Sequence, residues 1–179
     1  MAERALVIID MQHDYFPGGK MELEGAEAAA ENAAGALEQF RRLGLPIFHV
    51  KHLSVRPGAT FFLPGTPGVE IHPRVRPREG ERVFEKNFPN SFRGTELEAA
   101  LKAAHASELV VAGMMTHMCV DASVRQAADL GYRVTLLGDA CATRTQSYNG
   151  ETIPARQVHA AFLAALNGFY AKVISAREL

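Results

Sequence analysis

Cysteine is scarce in this sequence, with only Cys119 and Cys141 among 179 residues. Two are too few for the disulfide framework of a small secreted domain, so a cysteine with a special role is expected to be reactive rather than a staple. An excess of one charge is missing as well. Lys and Arg number 19 against 20 Asp and Glu, a formal charge of -1, and the basic residues are scattered. Such a chain carries no electrostatic footprint for nucleic acid or for an acidic membrane surface. No apolar run approaches bilayer-spanning length, and Met1-Ala2-Glu3-Arg4 leads into a short apolar strand without a signal-peptide pattern. Internal repeats and low-complexity segments are absent. What remains is the expectation of one cytoplasmic domain over residues 1–179, with a hydrophobic fraction of 47% to build its core and a small molecule as its partner.

Apolar runs stopped by polar residues alternate with helical periodicity. Ala5 to Ile9 reads as a buried strand that ends on Asp10, followed by Gln12, His13 and Asp14. A carboxylate at the C-terminal end of a buried strand is where open α/β sheets place ligand-contacting groups, although an aspartate there also serves simply to cap a turn. No G-x-G-x-x-G follows this strand, which excludes the dinucleotide fingerprint of a Rossmann dehydrogenase. Ala26 to Arg42 has the spacing of a helix, closed by Gly44 and Pro46, and Ile47 to Val50 is the second strand. Residues 53–81 are rich in Pro, Gly and Arg without periodicity, as expected of a rim around a site. His49, His52 and His72 lie near or within it but form no tight ligand motif, so neither a metal nor a cofactor is expected.

Arg82 to Lys86 reads as a third strand, and Thr95 with Glu98 has capping-box spacing at the head of a helix. Leu109 to Ala112 is a fourth buried strand turning at Gly113. The apolar residues 120, 124 and 127 then repeat with helical spacing, and Thr116 suits the N-cap. Cys119 falls in the first helical turn, where free N–H groups and the helix dipole favour a thiolate, so its thiol is expected to be more acidic than usual. Composition alone favours a buried structural cysteine, and only the placement at a helix start brings the nucleophile reading level with it. Arg133 to Leu137 is strand five, residues 140–150 read as a loop, Pro154 opens the last helix, and Ala171 to Ser175 is strand six.

This alternation predicts a three-layer α/β/α, doubly wound, mostly parallel six-stranded sheet, for which we take the Rossmann-like order 3-2-1-4-5-6. In that order the ends of strands one and four are neighbours, which brings Asp10 beside Cys119. Spacing alone does not carry Lys86 inward from the edge strand.

Over nearly its whole length the sequence resembles the isochorismatase-like cysteine hydrolases, a superfamily that includes nicotinamidases and N-carbamoyl-amino-acid amidohydrolases. The resemblance is carried by Leu6-Val7-Ile8-Ile9-Asp10-Met11-Gln12, by Lys86 with Ser91-Phe92 and Gly94-Thr95-Glu96-Leu97, by Gly113 to Val120, and by Asp139-Ala140. It implies a catalytic triad of Asp10, Lys86 and Cys119, and an oxyanion hole from the N–H groups of Met115 and Cys119 beside a cis Met114–Met115 peptide. The implied activity is hydrolysis of a small amide, ureido or imide C–N bond through a thioacyl enzyme. Where nicotinamidases carry a metal-binding Asp-x-His, this chain has Val50-Lys51-His52-Leu53, which disfavours that branch. Members that split an enol ether need no cysteine nucleophile, so Cys119 points to a carbonyl carbon.

Phe16, Phe61, Phe62 and Phe92 leave strand ends on the same face, and at least two are expected to line an apolar pocket beside Cys119, although each also suits a core position. By resemblance the protein is expected to be a homodimer or homotetramer, with residues 53–80 shared between subunits. Two other readings are a non-catalytic binding domain on the same fold and a dithiol redox protein using Cys119 and Cys141.

Overall fold

The computed structural model describes residues 3–179, so Met1 and Ala2, on which the absence of a signal pattern partly rests, lie outside the described residues. Seven-residue alternation builds the first strand, β1 (Glu3–Ile9). Leu6 and Ile8 enter the hydrophobic cluster on one face of the sheet, while Ala5, Val7 and Ile9 enter the cluster on the other. A strand apolar on both sides must be covered on both sides, and that requirement produces three layers.

The chain continues through α1 (Ala26–Leu43), β2 (Ile47–His52), β3 (Arg82–Lys86), α2 (Leu97–Ala103), β4 (Ala106–Met114), α3 (Asp121–Asp129) and β5 (Arg133–Ala142). A short hairpin, β6 (Gln146–Tyr148) with β7 (Glu151–Ile153), precedes α4 (Ala155–Leu166) and β8 (Lys172–Ile174). The main sheet has the order β3-β2-β1-β4-β5-β8 and all its pairings are parallel. This is the doubly wound order expected, with the final strand counted eighth because of the hairpin. That hairpin and the extension of β5 to Ala142 occupy much of the stretch expected to be a loop.

On one face lies α1, whose buried side is mostly alanine, from Ala26 to Ala36, followed by Leu37 and Phe40. Small side chains let the helix approach the sheet closely, and Phe40 fills the space at its end; truncating such a ring costs about 3–5 kcal/mol. The helix ends in a Schellman motif, with Leu45 N–H donating to Phe40 O (3.0 Å) and Gly44 N–H to Arg41 O (3.2 Å). On the other face, α2, α3 and α4 contribute Leu97, Leu101, Val124 and Leu166 to the second cluster. No helix among the described residues is long and apolar enough to cross a membrane.

The two expected caps differ from their sequence reading. At the start of α2 the Thr95 hydroxyl donates to Ser91 O (2.6 Å) and accepts Leu97 N–H only at 3.4 Å, and no capping box forms with Glu98. Thr116 does not cap α3 either. Thr116–Val120 form a π-type turn closed by Val120 N–H to Met115 O (3.2 Å), and the Thr116 hydroxyl pairs with His159 Nδ1 at 2.9 Å.

Candidate active site

Three strand ends meet at the switch point of the sheet. Asp10 follows β1 with φ 52°, a left-handed conformation that aspartate tolerates, and its N–H donates to Val50 O (2.9 Å). Gly113, near the end of β4, has φ 151°, and a Cβ there would lie 2.2 Å from Ile9 O. Only glycine lets β4 press this close to the end of β1. The chain then passes through the cis Met114–Met115 peptide into the turn that carries Cys119.

Lys86 ends β3, in register with His52 on β2. Strands two places apart are about 10 Å apart, and the lysine side chain bridges that gap over β2. Its Nζ donates to Asp10 Oδ2 at 2.6 Å and to Cys119 Sγ at 3.2 Å, and it lies 3.0 Å from His52 Nδ1. Asp10, Lys86 and Cys119 are 0%, 1% and 4% exposed. The inward placement that spacing alone left open is thus a matter of side-chain length across a parallel register.

The electrostatics differ from expectation at one residue. Burial pushes the Cys119 thiol up, the neighbouring Asp10 pushes it further, and Lys86 opposes them without prevailing, so the thiol is less acidic than usual rather than more. An address at a helix start does not outweigh near-complete desolvation beside a carboxylate. Burial also works against the Lys86 ammonium, but Asp10 and Cys119 outweigh it and raise its pKa, which keeps the lysine charged. Asp10 Oδ1 is buried and has no hydrogen-bond partner among the described residues. The resting arrangement is therefore a protonated thiol beside an ammonium-bound carboxylate with one oxygen free to accept.

Oxygen, nitrogen and sulfur atoms of Asp10, His52 and Cys119 lie within 4.8 Å of one another, a donor set of the kind that holds a metal. The Lys86 ammonium is bonded to all three, so a cation already occupies their focus. The other two histidines are engaged elsewhere. His49 Nε2 lies 3.1 Å from Glu81 Oε2, and His72 stacks on Phe16 at 3.8 Å.

The four phenylalanines do not form one wall. Phe16 is buried against His72, and Phe92 stacks on Tyr132 (6.4 Å) and packs with the cluster beneath α2 and α3. Phe62 and the half-buried Phe61 join Tyr15 instead, and Phe62 lies 6.0 Å from His52. Core packing accounts for Phe16 and Phe92, because a ring at a strand end turns toward whichever layer closes over it.

Sequence reasoning missed three residues here. Tyr15 is buried against Phe62, with ring centroids 4.5 Å apart, and its pKa is raised by that burial and then by the charges of Cys119 and Asp10. Asp14 accepts Phe62 N–H (2.6 Å) and Lys20 N–H (3.2 Å), fastening the rim to the first loop. Gln12 accepts His52 N–H (2.8 Å) and donates to His52 O (2.9 Å) and Val69 O (2.8 Å). The available signal was the density of polar residues directly after a buried strand. Cys141 is a free thiol, buried and bonded to Leu137 O (3.3 Å), with its pKa pushed up to about 12 by burial. Nothing in that setting favours the dithiol reading.

A family model for the isochorismatase domain matches residues 4–178. The uncharacterized isochorismatase family protein YddQ of Bacillus subtilis is 53% identical over 169 residues, covering 94% of each chain. The crystal structure of a hydrolase from Oleispira antarctica assigned to the isochorismatases matches with a TM-score of 0.95 at 51% identity, covering 98% of this chain and 95% of that one. Streptothricin hydrolase of Streptomyces noursei is 37% identical over 140 residues, 78% of this chain and 50% of that protein.

Proposed function

This chain belongs to the isochorismatase family, and from that membership and the site geometry we propose that it is a metal-independent cysteine hydrolase of a small amide, ureido or imide C–N bond. The observation that carries the reading is the buried Lys86 ammonium, bonded at once to Asp10 Oδ2 and Cys119 Sγ.

Asp10 takes the Cys119 proton on Oδ1 as the sulfur attacks the substrate carbonyl carbon. Negative charge develops on the carbonyl oxygen. By the family resemblance, the N–H groups of Met115 and Cys119 receive it; those of Met118 and Val120 are committed to Met115 O. Collapse breaks the C–N bond, Asp10 returns its proton to the leaving nitrogen, and a thioacyl enzyme remains. Water then attacks the thioester carbonyl, Asp10 accepts a proton from it, and the departing sulfur takes that proton back. Lys86 stays charged throughout and offsets whichever partner is anionic.

A protonated thiol suits this scheme, because the base sits beside the nucleophile and the thiolate forms only as it attacks. Tyr15, Phe61 and Phe62 supply the apolar side, which favours a compact, partly apolar acyl group over a highly charged one. A homodimer or homotetramer, in which residues 53–80 close the site from a neighbouring subunit, belongs to the same proposal; the exposed Val55 and Leu63 of that segment supply apolar surface for it. The test is a panel of small amides, imides and ureido acids assayed for ammonia release with wild type and Cys119→Ala. Release by wild type that vanishes in the variant supports the reading, whereas equal release by both removes Cys119 from the chemistry.

A further inference from the structure

His52 has no role in the scheme above, yet its ring touches the triad. An ammonium has three N–H donors, and Lys86 directs them at Asp10 Oδ2, Cys119 Sγ and His52 Nδ1, at 2.6, 3.2 and 3.0 Å. The histidine does not merely happen to lie there. Gln12 holds its backbone on both sides, accepting its N–H and donating to its carbonyl, and β2 keeps it in register with Lys86 itself. Burial and the Lys86 charge hold its pKa down at about 4, so at neutral pH the ring is uncharged and, facing an ammonium, carries its proton on Nε2.

We propose that His52 is a positioning residue, its Nδ1 being the third acceptor that fixes the Lys86 ammonium between Asp10 and Cys119. With two acceptors alone, a lysine that has crossed over a whole strand keeps freedom to swing about the strong Asp10 bond and away from the sulfur. The third acceptor, supplied from the strand it crosses, removes that freedom. Its consequence for catalysis rests on the hydrolase reading, but the positioning itself is measurable on the thiol without a substrate.

The experiment uses the full chain and follows alkylation of Cys119 by iodoacetamide at pH 8, with peptide mass mapping to separate it from Cys141. Two variants of nearly equal shape are compared, His52→Asn, which retains an acceptor near the Nδ1 position, and His52→Leu, which has none. Lys86 is the group that favours the thiolate, so its displacement slows the reaction. His52→Leu is expected to react about tenfold more slowly than wild type and His52→Asn within about threefold of it. In a Lys86→Met background the leucine substitution is expected to change the rate by less than about twofold, because the effect travels through the lysine.

Equal slowing in both backgrounds, or equal rates for the two variants, overturns the proposal. Where His52→Leu does not fold, His52→Ala takes its place: alkylation about tenfold slower than in His52→Asn supports the proposal, and equal rates for these two overturn it. Failure to find any hydrolysed amide, with the alkylation pattern as expected, counts against the hydrolase reading and leaves the positioning of Lys86 standing.

Discussion

Lys86 and Asp10 end strands that do not touch, with β2 between them, yet Lys86 Nζ donates to Asp10 Oδ2 at 2.6 Å with both side chains fully buried. Two opposite charges out of water hold each other in place, and neither tolerates the loss of its partner. Lys86→Met leaves the Asp10 carboxylate buried beside a protonated thiol, and the expected loss of stability is about 3–5 kcal/mol. Urea unfolding measures it. The double variant Asp10→Asn with Lys86→Met is expected to recover much of that loss while remaining inactive, and a double variant no more stable than the single would contradict the pairing.

The state of Cys119 makes a second prediction. Burial and Asp10 hold the thiol protonated at neutral pH, so the rate of alkylation by iodoacetamide is expected to climb through pH 9 without levelling. A plateau near pH 7 would show that Lys86 wins and that the resting nucleophile is a thiolate.

Close backbone approach gives a third. A Cβ at Gly113 meets the Ile9 carbonyl at 2.2 Å, and one at Gly68 meets the Asp14 carboxylate at 2.2 Å. Gly113→Ala forces apart the two strand ends that carry the site and is expected to cost about 2–5 kcal/mol from clash and strain together. Gly68→Ala pushes a side chain rather than a backbone. It is expected to loosen the Asp14 bond to Phe62 N–H, for about 1.5–3 kcal/mol, and to speed limited proteolysis of the rim.

Chelation provides a fourth. Hydrolysis of any substrate found is expected to survive EDTA at full rate, since the Lys86 ammonium is bonded to the three side chains that otherwise converge as ligands. Loss of activity restored by zinc or manganese would assign those side chains to a metal instead.

The fifth concerns acid stability. Glu81 accepts Arg41 Nε and Nη2 at 2.7 and 2.9 Å and Arg78 N–H at 2.9 Å, and its other neighbour is His49. Burial pushes its pKa up, but the Arg41 bond and the remaining donors pull it down to about 2. The folded value lies below the unfolded one, so this carboxylate contributes its full stability above about pH 4.5 and loses it as pH falls through about 2. Glu81→Gln is therefore expected to be less stable than wild type at pH 6, with the gap narrowing between pH 4.5 and pH 2 in thermal melts.

Much of the architecture was present in local pattern. A strand apolar on both faces, such as Ala5 to Ile9, demands cover on both sides, and apolar runs alternating with helical periods demand parallel crossovers. These are short-range properties, so the sequence by itself determined the three layers and the parallel crossovers, whereas the pairing of β1 with β4, which brings Asp10 beside Cys119, is a long-range choice that the tertiary structure made. Tertiary structure alone decided where Lys86 reaches, because its partner lies 76 residues away and the bridge depends on side-chain length across a register. It also decided the proton on Cys119, the inward turn of Tyr15, the bonds of Gln12 to His52, and the divergence of Phe16 and Phe92 into different layers. Periodicity records which face of an element is apolar. Desolvation, by contrast, is a sum over everything packed around a group, drawn from the whole chain, and no window of sequence contains it.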